Sequence, residues 1–311
     1  MYYYKPISKY INLLDVPDKK RKIHLDITPK SGGIIVLLFA INYFLSNYYN
    51  QEISLKLFFS LIISLIIIFS IFLIDDLVDI NPILRLFLVG FILFILFISN
   101  DQILINELRF SSFEMSAQLD KSALFFSVLC VLLLINAINL IDGINGLCIA
   151  HFLFWLVILD TNLKISQLII YIPLIFLFIL NIKGKIFLGN TGSVLIGLMI
   201  SILIITQYNF EKNIYIEEIF IYLMVPGLDM LRLFVKRLLN KKNPFLADKN
   251  HLHHLLYFRY KLFISLILYL IISLVPIVIS YLVDDHFLII IISVTILIYL
   301  TIIYKLENFR N

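Results

Sequence analysis

The sequence Phe72-Leu-Ile-Asp-Asp-Leu-Val-Asp-Ile80 closes an apolar run with three carboxylates. The run begins at Ile53, which makes it long enough to cross a bilayer, since a spanning helix needs roughly 20 apolar residues. A carboxylate at the end of such a helix is costly in hydrocarbon and usually marks a water-facing or functional site. The stretch therefore predicts a membrane helix with a polar end.

The three carboxylates have helical spacing. Asp76 and Asp79 are three residues apart and Asp75 and Asp79 are four apart, so a helix brings them towards one patch. Clustered carboxylate oxygens can hold a hard divalent cation. The alternative is a solvated helix end that binds nothing.

Composition places the whole chain among membrane proteins. The sequence is 61% hydrophobic with a mean hydropathy of +0.99, and only 15% of its residues are charged. These values lie far from those of soluble domains. The net charge of +4 is too weak and too dispersed to indicate a nucleic-acid partner. Cys130 and Cys148 lie in or beside apolar runs and form no disulfide framework.

Ten apolar runs follow one another along the chain. They predict an all-α fold, a polytopic transmembrane helical bundle of about ten spans. The runs cover residues 33–49, 53–74, 82–99, 122–141, 146–160, 166–182, 193–208, 216–234, 262–283 and 286–304.

Lysine and arginine are distributed unequally between the two sides of this predicted bundle. With a cytoplasmic N-terminus, 20 of the 25 lie inside and five outside. Because this bias sets orientation, both termini are predicted to be cytoplasmic. Every polar motif then falls on the inner face, in a single membrane domain over residues 1–311. The predicted loops of that face are about 1–32, 75–81, 142–146, 183–192 and 235–261.

Two motifs near the middle of the chain have a functional and a structural interpretation. An i, i+3, i+7 pattern relates Asn136, Asn139 and Gly143. The side-chain amides of the two asparagines could bind a sugar or a base, or could hold a neighbouring helix. The glycine-flanked loop Gly189-Asn-Thr-Gly-Ser193 is predicted to start a helix at Ser193. Backbone N–H groups at a helix start favour phosphate, although such loops also serve as plain connectors.

The C-terminal motifs are also open to two interpretations. Asp229 and Arg232 follow Pro226-Gly227 and could form an ion pair within one helix at a kink. His251-Leu-His-His254 could suggest zinc, but no cysteine is near and the local acid is single. Histidines and lysines beside a membrane more often bind phosphate or lipid head groups. Near the N-terminus, Arg21, Lys22 and His24 are either site residues or positive-inside anchors.

Taken together, these motifs resemble the polyprenyl-phosphate N-acetylhexosaminyl-1-phosphate transferases (the WecA/MraY type) over nearly the whole chain. The matching pieces are, in order, Asp15-x-Pro17, Arg21-Lys-x-His24, Pro29-x-x-Gly32-Gly33, Asp75-Asp76-x-x-Asp79 with Arg85, Asn136-x-x-Asn139-x-x-Asp142-Gly143-x-x-Gly146-Leu147, Asn181, Phe187-Leu-Gly189-x-x-Gly192-Ser193, Pro226-x-x-Asp229 and Pro244-Phe245-x-Ala247-Asp248-x-x-His251-x-His253-His254. The His-x-His-His form resembles the GlcNAc-1-phosphate branch more than the peptidoglycan translocase branch.

The resemblance implies a reaction and its partners. The phosphate of undecaprenyl or another polyprenyl phosphate would attack the sugar-bearing phosphate of a UDP-N-acetylhexosamine, giving polyprenyl-diphosphate-sugar and UMP. GlcNAc is the expected sugar, and the product would begin a cell-surface polysaccharide such as O-antigen or teichoic acid. Mg²⁺ is the expected cofactor, with Mn²⁺ as the alternative. The implied location is the bacterial inner (cytoplasmic) membrane with a cytoplasmic active site, and a homodimer is one arrangement the family allows.

The resemblance also implies roles for individual residues. Catalysis is expected of Asp75, Asp76, Asp79 and Arg85, and metal binding of Asp75, Asp76 and Asn190. Substrate binding is expected of Asn136, Asn139, Asp142, Asn181, His251, His253, His254, Lys22 and His24.

Two departures from the family pattern stand out. Members usually have eleven spans, with a helix before the Asp-x-Pro segment, whereas only fourteen residues precede Asp15 here. The first helix is therefore expected to be missing, or the chosen start to lie too far downstream. Members also usually carry a metal-binding aspartate where this chain has Asn190.

Other classes of function remain as alternatives. A secondary transporter could use membrane carboxylates as ion sites, but such sites tend to lie near the bilayer midplane. The second alternative is an inactive relative that acts as a scaffold. It remains open because Asn190 replaces the usual metal-binding aspartate.

Overall fold

The structure is a computed structural model that describes residues 13–15, 27–159, 168–210, 214–243 and 249–310. The described residues form ten α-helices, which confirms the all-α prediction. The helices are α1 Gly32–Tyr49, α2 Leu55–Val78, α3 Pro82–Ile98, α4 Ala123–Ile141, α5 Leu147–Leu159, α6 Leu168–Ile182, α7 Gly189–Phe210, α8 Ile216–Leu239, α9 Leu252–Ser280 and α10 Leu288–Arg310.

Two short antiparallel strand pairs accompany the helices. Strand β1 (Leu14–Asp15) pairs with β2 (Thr28–Pro29), and β3 (Glu107–Phe110) pairs with β4 (Met115–Gln118). The second pair lies in the segment 100–121, which apolar periodicity alone predicts only as a loop.

Six of the described helices are long and apolar enough to cross a membrane: α1, α2, α4, α7, α9 and α10. Three shorter helices, α3, α5 and α6, are also apolar. Large apolar side chains are exposed on many of them, as lipid-facing helices require. The chain is therefore a multi-pass membrane protein, while the full number of ten spans stays a prediction. Helix α8 differs from the others because it carries Glu217, Glu218, Asp229, Arg232, Lys236 and Arg237.

The turn between α2 and α3 shows why the acidic stretch ends a helix. Asp79 terminates α2 in the left-handed conformation, with φ of 50°, and its backbone N–H donates to the carbonyl of Asp75. Asn81 then caps α3 by accepting from the N–H of Ile83 at 2.9 Å, and Pro82 occupies the first helical position. This tight turn brings α3 back beside the last turn of α2.

The described chain divides into two compact units. The first takes its described residues from Met1–Ile103 and Ser127–Leu203, and the second from Leu104–Phe126 and Ile204–Asn311. In the first unit α1 packs against α2 and α6, and α2 packs against α3. Aromatic rings fill its core: Phe39 of α1 contacts Phe152 of α5 and Tyr171 of α6, with ring centroids 5.7 and 5.6 Å apart.

The second unit is a three-helix cluster of α8, α9 and α10 with the β3–β4 hairpin. The hairpin is fixed at Arg109, whose guanidinium lies 4.1 Å from the centroid of the Tyr208 ring. The Glu217 carboxylate accepts from the backbone N–H groups of Ser111 and Ser112. The Glu217 contacts join the hairpin to the start of α8, and the Arg109 contact joins it to the end of α7.

Helix boundaries differ from the predicted ones where charged residues lie at helix ends. The predicted loop 235–261 is shorter, since α8 continues to Leu239 and α9 already begins at Leu252. Lys261 interrupts α9 with a non-helical backbone, φ 62° and ψ −178°. Likewise α7 begins at Gly189 rather than at Ser193. Apolar runs do not include these terminal helical turns, because the residues in them are helical but not apolar.

Candidate active site

The first unit contains a buried ion pair at the end of α2. Asp75 is 2% exposed, and its Oδ2 accepts from Nη1 of Arg85 at 2.5 Å and from the amide nitrogen of Asn190 at 2.9 Å. Its Oδ1 accepts from the N–H of Ile80 at 2.9 Å. Arg85 also lies 5.5 Å from the centroid of the Phe72 ring. The structure thus brings together three of the residues predicted for the site: Asp75, Arg85 and Asn190.

The neighbouring carboxylate of Asp76 lies at the N-terminus of α7. Its Oδ2 accepts from Oγ1 of Thr191 at 2.6 Å and from the Thr191 N–H at 3.2 Å, and its Oδ1 accepts from the Asn190 N–H at 3.3 Å. Unpaired N–H groups at a helix start favour a negative charge. The glycine-flanked loop, for which phosphate is a predicted ligand, therefore binds a carboxylate of the chain itself.

The position of this helix start depends on close backbone contacts. The N–H of Gly32 donates to the carbonyl of Phe187 at 3.0 Å, and the N–H of Phe187 donates to the carbonyl of Pro29 at 2.8 Å. A Cβ on Gly32 would lie 2.7 Å from that Phe187 oxygen, so only glycine fits there. Gly189 has φ of +70°, and a Cβ on it would lie 2.7 Å from Oδ2 of Asp76. The glycines of the family motifs thus allow α7 to approach the acidic end of α2.

The end of α4 contributes a further carboxylate and two amides. Asp142 follows α4, and its removal from water together with the negative charge of Asp76 raises the pKa of its carboxyl group well above the usual range. Asn139 accepts a hydrogen bond from the Ser193 hydroxyl at 2.6 Å, whereas Asn136 donates to the carbonyl of Leu132 in its own helix at 2.7 Å. Asn139 and Asp142 therefore lie with the Asp76 cluster, and the amide of Asn136 has a local structural contact.

Two other predicted site residues have different surroundings. Asp79 is exposed at the α2 terminus, apart from the buried ion pair. Asn181 is 2% exposed; its Oδ1 accepts from the Gly146 N–H at 2.5 Å and its amide nitrogen donates to the Ile186 carbonyl at 2.8 Å. Asn181 therefore joins the segment after α4 to the segment before α7, and its role in substrate binding stays a prediction.

The second unit contains another buried carboxylate with several donors. Asp229 is 2% exposed, and its oxygens accept from Arg232 at 3.0 Å, from the Tyr299 hydroxyl at 2.8 Å and from Nδ1 of His251 at 2.9 Å. The backbone N–H of Leu252 donates to both oxygens at 3.1 Å. The predicted ion pair of Asp229 with Arg232 is present, and it forms part of a larger network.

The three histidines surround the start of α9. His251 and His253 are buried with nearly parallel rings, 5.6 Å apart and inclined by 7°, and His254 lies beside His253 and is partly exposed. Within the described part of the chain, Nε2 of His251 and both ring nitrogens of His253 have no hydrogen-bond partner. Polar atoms buried in this way are uncommon and indicate that something else pairs with them.

Some predicted residues lie outside the described ranges. They are Pro17, Arg21, Lys22 and His24, together with Pro244, Phe245, Ala247 and Asp248 of the histidine motif. Within the described ranges, no group of three or more His, Cys, Asp or Glu side chains is arranged to hold a metal ion.

Sequence reasoning missed several partners of the site. Thr191 lies in a stretch predicted only as a loop, Tyr299 lies in the last apolar run, and Glu307 lies just beyond the end of that run at residue 304. Glu307 accepts from Arg232 at 3.1 Å and pairs with Lys236 at 2.8 Å. A charged residue near the end of an apolar run is the one signal that could have pointed to Glu307.

Comparison with known proteins finds a family whose model matches the middle of the chain. Residues 58–208 match the model described as glycosyl transferase family 4. The matched range contains the whole cluster from Asp75 to Asn190. Over this segment, which is just under half of its length, the chain is similar to glycosyl transferase family 4.

The individual proteins that the chain is similar to have closely matching names. The chain is 28% identical over 276 residues to the undecaprenyl-phosphate alpha-N-acetylglucosaminyl 1-phosphate transferase of Escherichia coli K12, covering 82% of this chain and 72% of the relative. It is 27% identical over 267 residues to the "Probable undecaprenyl-phosphate N-acetylglucosaminyl 1-phosphate transferase" of Bacillus subtilis, covering 80% and 71%. A Thermotoga maritima transferase named like that of E. coli is 32% identical over 130 residues, covering 42% and 41%.

Proposed function

We propose that this chain transfers N-acetylglucosamine 1-phosphate from UDP-N-acetylglucosamine to undecaprenyl or another polyprenyl phosphate. The products are polyprenyl-diphosphate-N-acetylglucosamine and UMP. The observation that carries the proposal is the cluster of Asp75, Asp76, Arg85 and Asn190, which lies entirely within the segment matching glycosyl transferase family 4. The names of the relatives supply the sugar and the lipid.

The reaction mainly requires that anions be brought together. A phosphate monoester has its second pKa near 6, so the polyprenyl phosphate is largely ionised at neutral pH. One of its oxygens forms a bond to the sugar-bearing phosphorus while the bond from that phosphorus to UMP breaks, and UMP leaves with the electron pair. A strong general base is unnecessary, and catalysis rests on positioning and on charge neutralisation.

The charged residues divide this task between them. Arg85 supplies a positive charge beside Asp75, which orients the guanidinium through the 2.5 Å hydrogen bond. Asn139 and Asp142 at the end of α4 would contact the uridine or the sugar. His251, His253 and His254 would donate to the diphosphate oxygens, together with the positive residues of the motif that includes Lys22 and His24.

The donor set fits a hard divalent cation. Asp76 and Asp142 are close enough that the charge of one raises the pKa of the other, and a bound cation would remove this repulsion. Carboxylate and amide oxygens are suitable ligands for Mg²⁺, so the carboxylates of Asp75 and Asp76 with the amide oxygen of Asn190 would hold it. The ion would neutralise charge on the transferring phosphoryl group.

The basic residues of the sequence support a location in the bacterial cytoplasmic membrane with the active site facing the cytoplasm. The product would then begin a cell-surface polysaccharide. Asp75 and Asp76 lie in the last turn of the 24-residue α2, at a helix end, which suits a transferase better than a midplane ion site.

The test uses the purified protein with undecaprenyl phosphate, Mg²⁺ and a panel of UDP-N-acetylhexosamines, with UMP release as the measurement. We expect UMP release with UDP-N-acetylglucosamine and none when the lipid is omitted. Lack of release with every sugar and every metal concentration would contradict the proposal. Turnover gained only on Asn190→Asp substitution would favour the scaffold alternative.

A further inference from the structure

The Asp229 carboxylate holds three helices of the second unit together. It lies on α8, receives the Tyr299 hydroxyl from α10, and accepts from the first backbone N–H of α9, that of Leu252. Arg232 neutralises it at 3.0 Å and is itself balanced by Glu307. Asp229 is therefore a fixed, fully hydrogen-bonded carboxylate.

One of its oxygens determines the state of His251. Nδ1 of His251 lies 2.9 Å from Oδ2 of Asp229. An ionised carboxylate only accepts, so Nδ1 must carry the proton. The other ring nitrogen, Nε2, is buried and has no partner within the described residues. The hydrogen bond thus fixes the ring orientation and leaves Nε2 as the atom available to a ligand.

We propose that Asp229 is a positioning residue, which holds His251 so that Nε2–H donates to a phosphate oxygen of the nucleotide-sugar diphosphate. The inference rests on the proposed function. A phosphate oxygen needs a donor, and with Nδ1 held by the Asp229 carboxylate, Nε2 is the ring nitrogen left to supply it. The bound oxygen would also remove the penalty of the unpaired buried nitrogen.

A double-mutant cycle on the full-length protein in nanodiscs tests whether Asp229 acts through His251. Asp229→Asn keeps an oxygen for Leu252 and Tyr299 but directs a donating NH₂ group towards Nδ1. We expect UDP-N-acetylglucosamine to bind about tenfold more weakly, because the loss of one hydrogen bond to a charged phosphate costs about that much affinity. In a His251→Gln background the same change should alter affinity by less than about twofold. An equal loss in both backgrounds would overturn the role of Asp229.

Tyr299→Phe is the matched control. It removes a different hydrogen bond from the same carboxylate and leaves the bond to His251. We expect a lower melting temperature with affinity within about twofold of the wild type. If Tyr299→Phe weakens nucleotide binding as much as Asp229→Asn, the effect is one of general stability and the inference fails.

A second measurement needs no folded Asp229 variant. In protein labelled with ¹⁵N-histidine, the His251 signals are assigned by their loss in His251→Gln. We expect a protonated Nδ1 in the wild type, and an unprotonated Nδ1 would overturn the inference. If the wild type releases no UMP and binds no nucleotide, the proposed function fails; if it releases UMP but the cycle is additive, only the role of Asp229 fails.

Discussion

The side-chain amide of Asn190 donates a hydrogen bond to Oδ2 of Asp75, the oxygen that also accepts from Arg85. The transferases that the sequence resembles usually have an aspartate at this position, which would face Asp75 with a like charge. The asparagine therefore stabilises the carboxylate cluster without help from a cation. An asparagine at this position is also a weaker ligand for a divalent cation than an aspartate would be.

Replacing Asn190 by Asp should lower the stability of the metal-free protein and raise its affinity for Mg²⁺. Without divalent ions, the lost donor and the added charge should destabilise the protein by about 1–3 kcal/mol. With Mg²⁺, the stronger ligand should shift half-maximal transfer activity to a lower Mg²⁺ concentration. Melting curves with and without Mg²⁺ and a metal titration of activity measure both effects. Asn190→Ala is the control, since it loses the donor without gaining charge; identical Mg²⁺ dependence in both variants would place the metal away from residue 190.

Neutralising either carboxylate in the last turn of α2 should abolish transfer. Asp75→Asn leaves Arg85 without its counter-charge, and Asp76→Asn places an amide where the Thr191 donors require an acceptor. We expect a loss of about 10²-fold or more in kcat, the scale on which one preorganised electrostatic contact contributes. UMP release by variants of equal expression measures it, with the exposed Asp101→Asn as control. Normal turnover in either variant would contradict the assigned role.

Alanine substitutions at two glycines can distinguish local strain from a general effect of the added methyl group. Gly189→Ala combines an unfavourable φ of +70° with a Cβ 2.7 Å from Asp76, so activity should fall at least about tenfold. Gly227→Ala places its Cβ in open space within α8 and should be neutral or stabilise by about 0.5–1 kcal/mol. Kinetics and melting curves of the two variants provide the comparison. Equal behaviour would mean that the α7 start tolerates displacement.

The contacts of Asn181 favour a structural role, which a substitution can test. Asn181→Ala removes partners from Gly146 and Ile186, so we expect a loss of about 1–3 kcal/mol in stability. The Michaelis constant for the UDP-sugar should be unchanged in the folded fraction. A raised Michaelis constant at unchanged melting temperature would instead support direct substrate binding.

Membrane orientation can be tested by cysteine labelling of intact cells in a variant lacking Cys130 and Cys148. Cysteines at Ser8 and Asn243 should be protected from an impermeant reagent, because the basic segments around them are predicted to be cytoplasmic. A cysteine at the exposed Glu114, in the turn between β3 and β4, should react. Labelling at Ser8 or Asn243 would overturn the orientation.

Local patterns in the sequence predicted the helices but not their mutual contacts. Hydropathy located all ten helices of the described chain because lipid exposure requires a continuous apolar run. It missed the start of α9 at Leu252, where His253 and His254 are helical without being apolar. The bond between Asp229 and His251, and that between Asn190 and Asp75, join residues distant in sequence, so no local pattern contains them.

The backbone contacts that connect Pro29 and Gly32 to Phe187 also have a consequence for biosynthesis. The two segments are separated by about half of the chain, and Thr28 likewise donates to the carbonyl of Gly184, 156 residues further on. Contacts of such separation form late, because the intervening chain must first be made and the loop closed. The early helices must therefore enter the membrane while the end of α2 lacks its partner, and Asp76 meets Thr191 only after α7 has left the ribosome. Until then the nascent protein carries exposed carboxylates at a membrane boundary, an intermediate that chaperones and proteases could recognise.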